Sequence, residues 1–360
     1  MEEDQPAHFS TKTFAEQSDD ERSIIEPEVV HGRFANPKSW VGWTGLPNLI
    51  SLLQWKFSTD ETNLPRDSEE LDSYLPVFTP KFNNPAIFED FNVTWIGHAC
   101  VVVQMDGVTV ITDPIWAKRC SPVSFAGPRR YRPPPCSISD LPQIDIAVIS
   151  HNHYDHMDLE SIKQIEDLFG PTGLKWYVPL GNGAYLRNLG CRNVTELNWG
   201  EEAEFHSDRN PEIDPIRIVC LPAQHWSTRT AIWDKFKALW SGWAIIGQHR
   251  RFYFAGDTGY CPAFRNIGKA YGPFDLAAIP IGCYAPRWFM KPQHINPEEA
   301  VQIHNDVKSK KSIGIHWGTY LMGSTEFYLE PKILLMEEVE KAGLTASDFS
   351  TLNHGETLNL

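Results

Sequence analysis

A strongly apolar run ends abruptly in a loop of histidine and aspartate. Residues 144–150 read IDIAVIS, a continuous apolar run that is typical of a strand buried on both faces of its sheet. The residues from 159 to 169 then carry apolar side chains at helical spacing behind Asp158, a residue type suited to an N-cap. The sequence therefore predicts a strand, a short loop and a helix, with the loop formed by His151, Asn152, His153, Tyr154, Asp155 and His156.

Four side chains of this loop can bind a metal ion. Neutral imidazole and carboxylate are ligands that zinc, iron and manganese accept. A turn lets alternate residues point to one side, so His151 and His153 can share one ion. The adjacent pair Asp155 and His156 can serve a second ion. Four such residues within six positions indicate a metal site rather than four unrelated surface residues.

Three other strand ends offer ligands that would complete both sets. His225 follows IRIVCLPA, Asp257 follows RFYFAG, and His316 follows SIGI. Functional residues of α/β folds collect at strand ends, so positions distant in the sequence can meet there. Further strands are predicted at WYVPL, GWAIIG and DLAAIPIG, and helices at 296–309 and 330–343. Alternating strands and helices predict an α/β layer architecture.

The order of these residues resembles the metallo-β-lactamase superfamily, in which an H-x-H-x-D-H loop precedes a His, an Asp and a His at later strand ends. The resemblance implies an α/β fold, a four-layer αββα sandwich. It also implies a bridging role for Asp257 and an orienting role for Asp113 of the ITDP segment. By the same resemblance, one ion is held by His151, His153 and His225, and the other by Asp155, His156 and His316.

Longer motifs narrow the resemblance. TWIGHA, GPRRYRPPPC, PAQHW, FYFAGDTGYCPAF and PRWFMKPQH are similar to the N-acylphosphatidylethanolamine-hydrolysing phospholipases D, over roughly residues 90–356. That family implies two zinc ions per chain and a membrane-associated homodimer that releases an N-acylethanolamine and phosphatidic acid. It implies that Tyr154 and His294 contact substrate, and His294 is a candidate to protonate the leaving group. It also implies a peripheral protein on the cytosolic face of internal membranes such as Golgi, endosome or ER.

The expected chemistry is direct attack of a metal-bound hydroxide on phosphorus, because a pair of divalent ions suits in-line displacement at a phosphodiester. No histidine has Lys two positions later, so the covalent H-x-K-x4-D route lacks its residues. A lactonase or nuclease would share the ligands, and a non-enzymatic, metal-stabilised membrane protein is a further alternative. The net charge of −14 argues against a nucleic-acid partner.

The rest of the chain supports coarser predictions. Residues 1–30 are polar and acidic and are predicted to be a disordered tail, followed by an N-terminal extension over 31–89 and the catalytic domain over 90–360. The Trp-rich segment 39–57 either packs on the main domain or lies at a lipid interface. An odd number of cysteines, seven, and no apolar leader indicate a reducing, intracellular compartment. Four histidines without a partner set are predicted to be structural or surface residues: His98, His249, His304 and His354.

Overall fold

The structure is a computed structural model that describes residues 24–58, 64–65, 68–83, 91–123, 125–230 and 233–360. Within these residues the chain forms two large sheets, a short hairpin and a set of helices. The strands are β1 (Glu28–Val30), β2 (Arg33–Ala35), β3 (Asn92–Gly97), β4 (Cys100–Met105), β5 (Val108–Thr112), β6 (Ile146–Val148), β7 (Lys175–Pro179), β8 (Val194–Leu197), β9 (Glu202–Phe205), β10 (Ile216–Leu221), β11 (Gly242–Ile246), β12 (Arg251–Phe254), β13 (Leu276–Pro280), β14 (Ser312–Ile315), β15 (Phe349–Thr351) and β16 (Thr357–Asn359). The α-helices are α1 (Leu49–Ser58), α2 (Ser68–Tyr74), α3 (Leu159–Phe169), α4 (Gly183–Asn188), α5 (Ala263–Ala270), α6 (Arg287–Met290), α7 (Pro297–Asp306) and α8 (Glu330–Lys341).

The two large sheets have seven strands each and share one pairing plan. The first has the order β16-β3-β4-β5-β6-β7-β8 and the second the order β15-β14-β13-β12-β11-β10-β9. In the first sheet the pairs up to β4/β5 are antiparallel and the pairs from β5/β6 onward are parallel. In the second sheet the pairs from β9 to β12 are antiparallel and those from β12 to β15 parallel.

A tight turn joins β4 to β5, as the Asp-Gly pair predicts. Asp106 and Gly107 both have positive φ, of 45° and 77°, and glycine tolerates this conformation best. The Asp106 carboxylate also accepts hydrogen bonds from the backbone N–H groups of His249 and Arg250, both at 3.0 Å. This one turn therefore fixes the hairpin and ties the first sheet to the β11–β12 turn of the second.

The core lies between the two sheets and between each sheet and its helices. Successive side chains of a strand point to opposite faces. In β4, Val101 and Val103 belong to the buried cluster that includes Trp243 of the second sheet. Val102 belongs to a second cluster with Ile162 of α3. On the far face of the second sheet, α7 packs against β13 and α8 against β15. The predicted four-layer αββα sandwich is confirmed.

The disordered tail predicted over residues 1–30 stays a prediction, because the structure describes only its last seven residues. Residues 1–23 lie outside the described residues, but Ile24 and Ile25 pack against the main core and β1 begins at Glu28. Apolar side chains that bury against the domain explain why this stretch is ordered. Trp40 is also buried and stacks on Trp199, with ring centroids 5.6 Å apart.

The segment 39–57 contains a helix that has both a packed and an exposed apolar side. Asn48 caps α1, because its Oδ1 accepts the Ser51 N–H at 2.9 Å. Trp55 stacks on Phe289 with ring centroids 5.3 Å apart, whereas Ile50 is 76% exposed. The helix therefore packs on the domain and still presents apolar surface outward.

Neither a membrane-spanning helix nor a disulfide bond is present in the described part of the chain. No α-helix there has the length and apolar character that crossing a bilayer requires. The seven cysteines are free, and six of them are buried.

Candidate metal centre

The loop after β6 is held in a compact turn by its own backbone and by one arginine. The backbone N–H groups of His156 and Met157 both donate to His153 O, at 3.1 and 2.9 Å. Arg229 Nη1 donates to Asn152 O at 3.1 Å and to Met157 O at 2.8 Å. The turn therefore presents its histidines and aspartate in a fixed arrangement at the end of the strand.

Three imidazoles converge on one side of this loop. His151 Nε2 lies 2.8 Å from His153 Nδ1, and His153 Nδ1 lies 3.3 Å from His225 Nε2. His225 comes from the segment after β10, so the first sheet supplies two of these ligand atoms and the second sheet supplies one. The structure thus brings together the three residues predicted to hold one ion.

The second predicted set also converges. Asp155 Oδ2 lies 3.3 Å from His156 Nε2 and 3.7 Å from His316 Nε2. His316 follows β14 and has a positive φ of 60°, which turns its side chain back toward the loop. Its backbone N–H donates to His98 O at 2.9 Å, which supports that conformation.

Asp257 lies between the two sets. Its Oδ2 is 3.2 Å from His156 Nε2 and 3.9 Å from His225 Nε2, and its Oδ1 is 3.2 Å from His316 Nε2. The carboxylate follows β12 and is 4% exposed. A carboxylate that bridges two ions must have oxygens near both ligand sets, and Asp257 meets this condition.

The donor atoms fit a pair of divalent cations. Three buried atoms that face one another have no hydrogen-bond partner in the described structure: His156 Nε2, His316 Nε2 and Asp257 Oδ1. Two ligand atoms of a tetrahedral zinc ion lie about 3.4 Å apart. The observed separations of 3.2 to 3.7 Å around Asp155 and Asp257 agree with that spacing. Nitrogen and carboxylate oxygen are also the ligand types that zinc accepts.

Electrostatics support the same conclusion. Burial lowers the pKa of His151 and His225 well below the ordinary value, so both imidazoles stay neutral, the form that binds metal. Burial opposes the charge of Asp257, but His156 and His316 lower the pKa of this carboxyl well below its ordinary value. Burial lowers the pKa of His156 and of His316, but the charge of Asp257 outweighs it and raises the former well above its ordinary value and the latter to about 9. A divalent cation bound here would therefore replace the protons that these two imidazoles hold between the carboxylates.

Outer hydrogen bonds orient the ligand imidazoles. Asp113 Oδ2 accepts from His156 Nδ1 at 2.7 Å and from Ser150 Oγ at 2.6 Å. Ser150 Oγ in turn lies 2.9 Å from His151 Nδ1. A neutral imidazole that donates a hydrogen bond through Nδ1 has a free lone pair on Nε2. Asp113 favours this form directly for His156 and, through Ser150 Oγ, for His151.

Of the two residues predicted to contact substrate, His294 faces Asp257, whereas the Tyr154 hydroxyl is bound to Arg229. His294 Nδ1 is buried 3.8 Å from Asp257 Oδ2, has no hydrogen-bond partner among the described residues, and has its pKa lowered by burial to about 4. Tyr154 is half-buried; its hydroxyl donates to Arg229 O at 2.9 Å, and the Arg229 guanidinium lies 4.2 Å from the centre of its ring. The predicted contacts of both residues with substrate stay predictions.

One histidine of this cluster was not predicted. His98 is predicted above to be structural or superficial, but its Nε2 lies 3.1 Å from Asp155 Oδ2 and its ring centroid 4.1 Å from that of His316. Burial lowers the pKa of His98 to about 3, so this imidazole is neutral. Its position in the sequence is the signal that could have identified it, since TWIGHA places His98 at a strand end, where the seven predicted ligands also lie.

Comparisons with known proteins agree with this geometry. The Beta-lactamase superfamily domain matches residues 109–317, a range that includes all seven predicted ligands. The N-acyl-phosphatidylethanolamine-hydrolyzing phospholipase D 1 of Caenorhabditis elegans is 50% identical over 331 residues, which cover 90% of this chain and 91% of that protein. This chain belongs to the N-acyl-phosphatidylethanolamine-hydrolyzing phospholipase D family. The prediction that the chain is a phosphodiester hydrolase is confirmed at the level of this family.

Other matches extend the comparison. The mitochondrial N-acyl-phosphatidylethanolamine-hydrolyzing phospholipase D of Saccharomyces cerevisiae is 36% identical over 290 residues, which cover 79% of this member of the family and 58% of the yeast protein. The metallo hydrolase Igni18 of Ignicoccus hospitalis superposes with a TM-score of 0.54 at 23% identity, covering 75% of this chain and 98% of that chain. The latter likeness shows the fold alone.

Proposed function

We propose that this chain is a zinc-dependent phospholipase D that hydrolyses N-acylphosphatidylethanolamine to an N-acylethanolamine and phosphatidic acid. The observation that carries the proposal is the set of seven converging ligands in a chain that is 50% identical to the nematode enzyme of that name. Two zinc ions are proposed, one on each ligand set, with Asp257 between them. Water is proposed to attack phosphorus directly, without a covalent enzyme intermediate.

The residues of the chain have distinct roles in this proposal. Two divalent cations, when bound, lower the pKa of water and neutralise the charge of a phosphodiester. Asp257 is placed to orient the attacking water or to accept its proton. His294 Nδ1 faces the same space and is the candidate that protonates the departing alkoxide. Because its lowered pKa leaves this imidazole neutral, it would first take up the proton released by the attacking water and then pass it to the alkoxide. Tyr154, held on the loop by Arg229, is the candidate that contacts the substrate phosphate.

Exposed apolar surface supports peripheral membrane contact. Ile50 and Leu53 of α1 are 76% and 48% exposed, and Val41 just before this helix is 92% exposed. Apolar side chains of this kind can enter the boundary between lipid headgroups and acyl chains. We propose that these three side chains contact the membrane that holds the substrate, on the cytosolic face of an internal membrane, and that the enzyme acts as a homodimer.

A direct assay tests the substrate and the metal together. Purified protein is incubated with N-acylphosphatidylethanolamine vesicles, with and without a chelator, and both products are identified by mass spectrometry. The proposal expects equimolar N-acylethanolamine and phosphatidic acid, lost with chelator and regained with zinc. Absence of both products with a zinc-loaded enzyme contradicts it, and turnover of a lactone or of a nucleic acid instead would support the alternative hydrolases.

Isotope and trapping experiments test the route. Direct attack places solvent oxygen-18 in the phosphatidic acid and leaves added ethanol unincorporated. A covalent enzyme intermediate would instead transfer the phosphatidyl group to ethanol. Appreciable phosphatidylethanol would therefore overturn the direct route while leaving the substrate assignment intact.

A further inference from the structure

His98 occupies an unusual backbone position at the edge of the proposed metal centre. It lies in the two-residue turn between β3 and β4, is 1% exposed, and has a positive φ of 53°. Left-handed backbone is costly for a residue other than glycine and persists where the surroundings hold it in place. The contacts of His98 show what holds it.

The backbone of His98 is bound on both sides to groups of the molecule's interior. Its N–H donates to Thr319 Oγ1 at 2.8 Å. Its carbonyl oxygen accepts from His316 N–H and from Trp95 Nε1, both at 2.9 Å. The segment 316–319, which follows β14 of the second sheet, is thus hydrogen-bonded to a turn of the first sheet through this one residue.

The side chain of His98 points into the second ligand set. Its Nε2 lies 3.1 Å from Asp155 Oδ2, the same oxygen that lies 3.3 Å from His156 Nε2 and 3.7 Å from His316 Nε2. Its ring packs on that of His316, with centroids 4.1 Å apart. His98 therefore contacts Asp155 through its side chain and His316 through both its backbone and its ring.

His98 Nε2 could either donate a hydrogen bond to Asp155 or bind a cation directly. The His98 Nε2–Asp155 Oδ2 contact of 3.1 Å has hydrogen-bond geometry, whereas Nε2 of His156 and Nε2 of His316 have no hydrogen-bond partner among the described residues, although a carboxylate oxygen lies 3.2 Å from each. Nε2 of His98 therefore carries its hydrogen and donates it to Asp155, while the other two nitrogens are left to face a cation. A nitrogen that carries a hydrogen cannot coordinate a cation. The geometry therefore favours an orienting hydrogen bond over a direct ligand bond.

We propose that His98 is a positioning residue for the ligand set Asp155, His156 and His316. Its Nε2–H donates to the Asp155 carboxylate and holds that carboxylate toward His156 and His316. The inference rests on the proposed dinuclear site. Partners of metal ligands at this distance contribute 10- to 100-fold to metal affinity in other proteins. The same factor, about 10- to 100-fold, is expected here for the ion on Asp155, His156 and His316, with little effect on the other ion.

Three variants of the full chain test the proposal. His98→Ala removes the donor, whereas His98→Gln keeps an N–H at similar reach. His304→Ala is the matched control, because His304 is also buried but binds Ser312 Oγ, within α7 and β14, away from the ligands. Circular dichroism and the unfolding midpoint establish that each variant is folded.

Zinc titration against a chromophoric chelator measures the affinities. The proposal expects two ions in wild type and His304→Ala, about 10- to 100-fold weaker binding of one ion in His98→Ala, and recovery to within a few-fold in His98→Gln. Turnover of His98→Ala is expected to return at high added zinc. Unchanged affinities in His98→Ala, or equal losses in the alanine and glutamine variants, would overturn the positioning role.

Cobalt(II) substitution separates a positioning residue from a ligand. If His98 orients Asp155, cobalt-saturated His98→Ala keeps the ligand number and the visible absorption intensity of wild type. A change of intensity at saturation would show that His98 is itself a ligand and overturn the proposal. Failure of the wild-type chain to bind any ion would instead reject the proposed function, so the two failures are distinguishable.

Discussion

At the scale of single residues, the two ligand sets meet at one carboxylate. Asp257 Oδ2 faces His156 and His225, and its Oδ1 faces His316. An amide in its place keeps the shape but removes the negative charge that offsets two cations. We expect Asp257→Asn to bind fewer than two ions and to lower turnover by about 10³-fold or more, a loss of several kcal/mol of charge stabilisation. Metal analysis and steady-state kinetics check both values.

The matched control for that variant is Asp167→Asn. Asp167 is exposed on α3 and pairs with Lys163 one turn earlier on the same helix. An exposed i, i+4 ion pair contributes at most a few tenths of a kcal/mol, so metal content and turnover should equal those of wild type. Full metal loading in Asp257→Asn would contradict the bridging role of this carboxylate.

Replacement of His294 is expected to leave the metal content unchanged, unlike replacement of Asp257. Its Nδ1 faces Asp257 from 3.8 Å but belongs to neither predicted ligand set. General acid catalysis contributes about 10²- to 10⁴-fold in enzymes. We expect His294→Ala to lose turnover in this range while keeping its metal content, measured by elemental analysis of the purified variant. Loss of one ion would reassign His294 as a ligand, since its nitrogen lies near Asp257 and His316.

The convergence of the seven proposed ligand residues could be anticipated from sequence because each follows an apolar strand. The loop at 151–156 is dense enough to identify itself, and His225, Asp257 and His316 share its position at a strand end. His98 shares that position too, but its segment contains no second histidine and no carboxylate. Its contact with Asp155 depends on how two distant turns meet, which sequence spacing does not determine.

At the scale of elements, the loop after β10 carries a pH-dependent hydrogen-bond network. The Asp234 carboxylate accepts from Thr228 Oγ1 at 2.8 Å, from Arg229 N–H at 2.9 Å and from Thr230 N–H at 2.9 Å. Burial disfavours the charge, but hydrogen bonds led by that of Thr230 outweigh it and lower the pKa of Asp234 to about 2. The network also places Arg229, which holds the loop at 151–156 through Asn152 O and Met157 O.

A carboxyl whose pKa is lower in the folded state stabilises the fold above its unfolded pKa. For Asp234 this contribution is present above about pH 4 and is lost as the pH falls from there toward about 2. We expect Asp234→Asn to lower the free energy of unfolding by about 1 kcal/mol at neutral pH, a value reduced because the group is partly exposed. Urea unfolding of both proteins over a pH series should show the difference shrinking with acidification.

The exposed Asp208 provides the control for that comparison. Asp208→Asn should unfold like wild type across the same pH series. A difference between wild type and Asp234→Asn that is constant from neutral to acidic pH would contradict the titration of this carboxyl as its cause.

Elements with a strong periodic pattern were predicted closely, and short ones were not. Helix α3 occupies the predicted range 159–169, and helices predicted at 296–309 and 330–343 are observed as α7 and α8. The four-residue α6 and the three-residue strands β1 and β2 are too short to show a period. Their structure depends on tertiary contacts, such as the hydrogen bond from Phe34 N–H to Phe236 O.

At the scale of the whole molecule, both sheets contribute to every part of the proposed site. The first sheet supplies the loop after β6 and the turn before β4, and the second sheet supplies the ends of β10, β12 and β14. Strand alternation in the sequence predicted the layers. It did not predict the strand order or which sheet each strand joins, because local patterns contain no information about pairing partners.

Because the ligands come from both sheets, bound cations should hold the two halves together. An ion that binds only the folded state increases the free energy of unfolding by RT ln(1 + [L]/Kd), where [L] is the concentration of free ion. This increase is about 2.7 kcal/mol when that concentration is 100 times Kd. We expect chelator treatment to lower the midpoint of thermal and urea unfolding, and zinc to restore it. Asp257→Asn, which is expected to bind fewer ions, should show a smaller zinc-dependent shift than Asp167→Asn. Equal midpoints for chelated and zinc-loaded wild type would mean that the converging atoms do not bind ions. This result would contradict the proposed catalytic site.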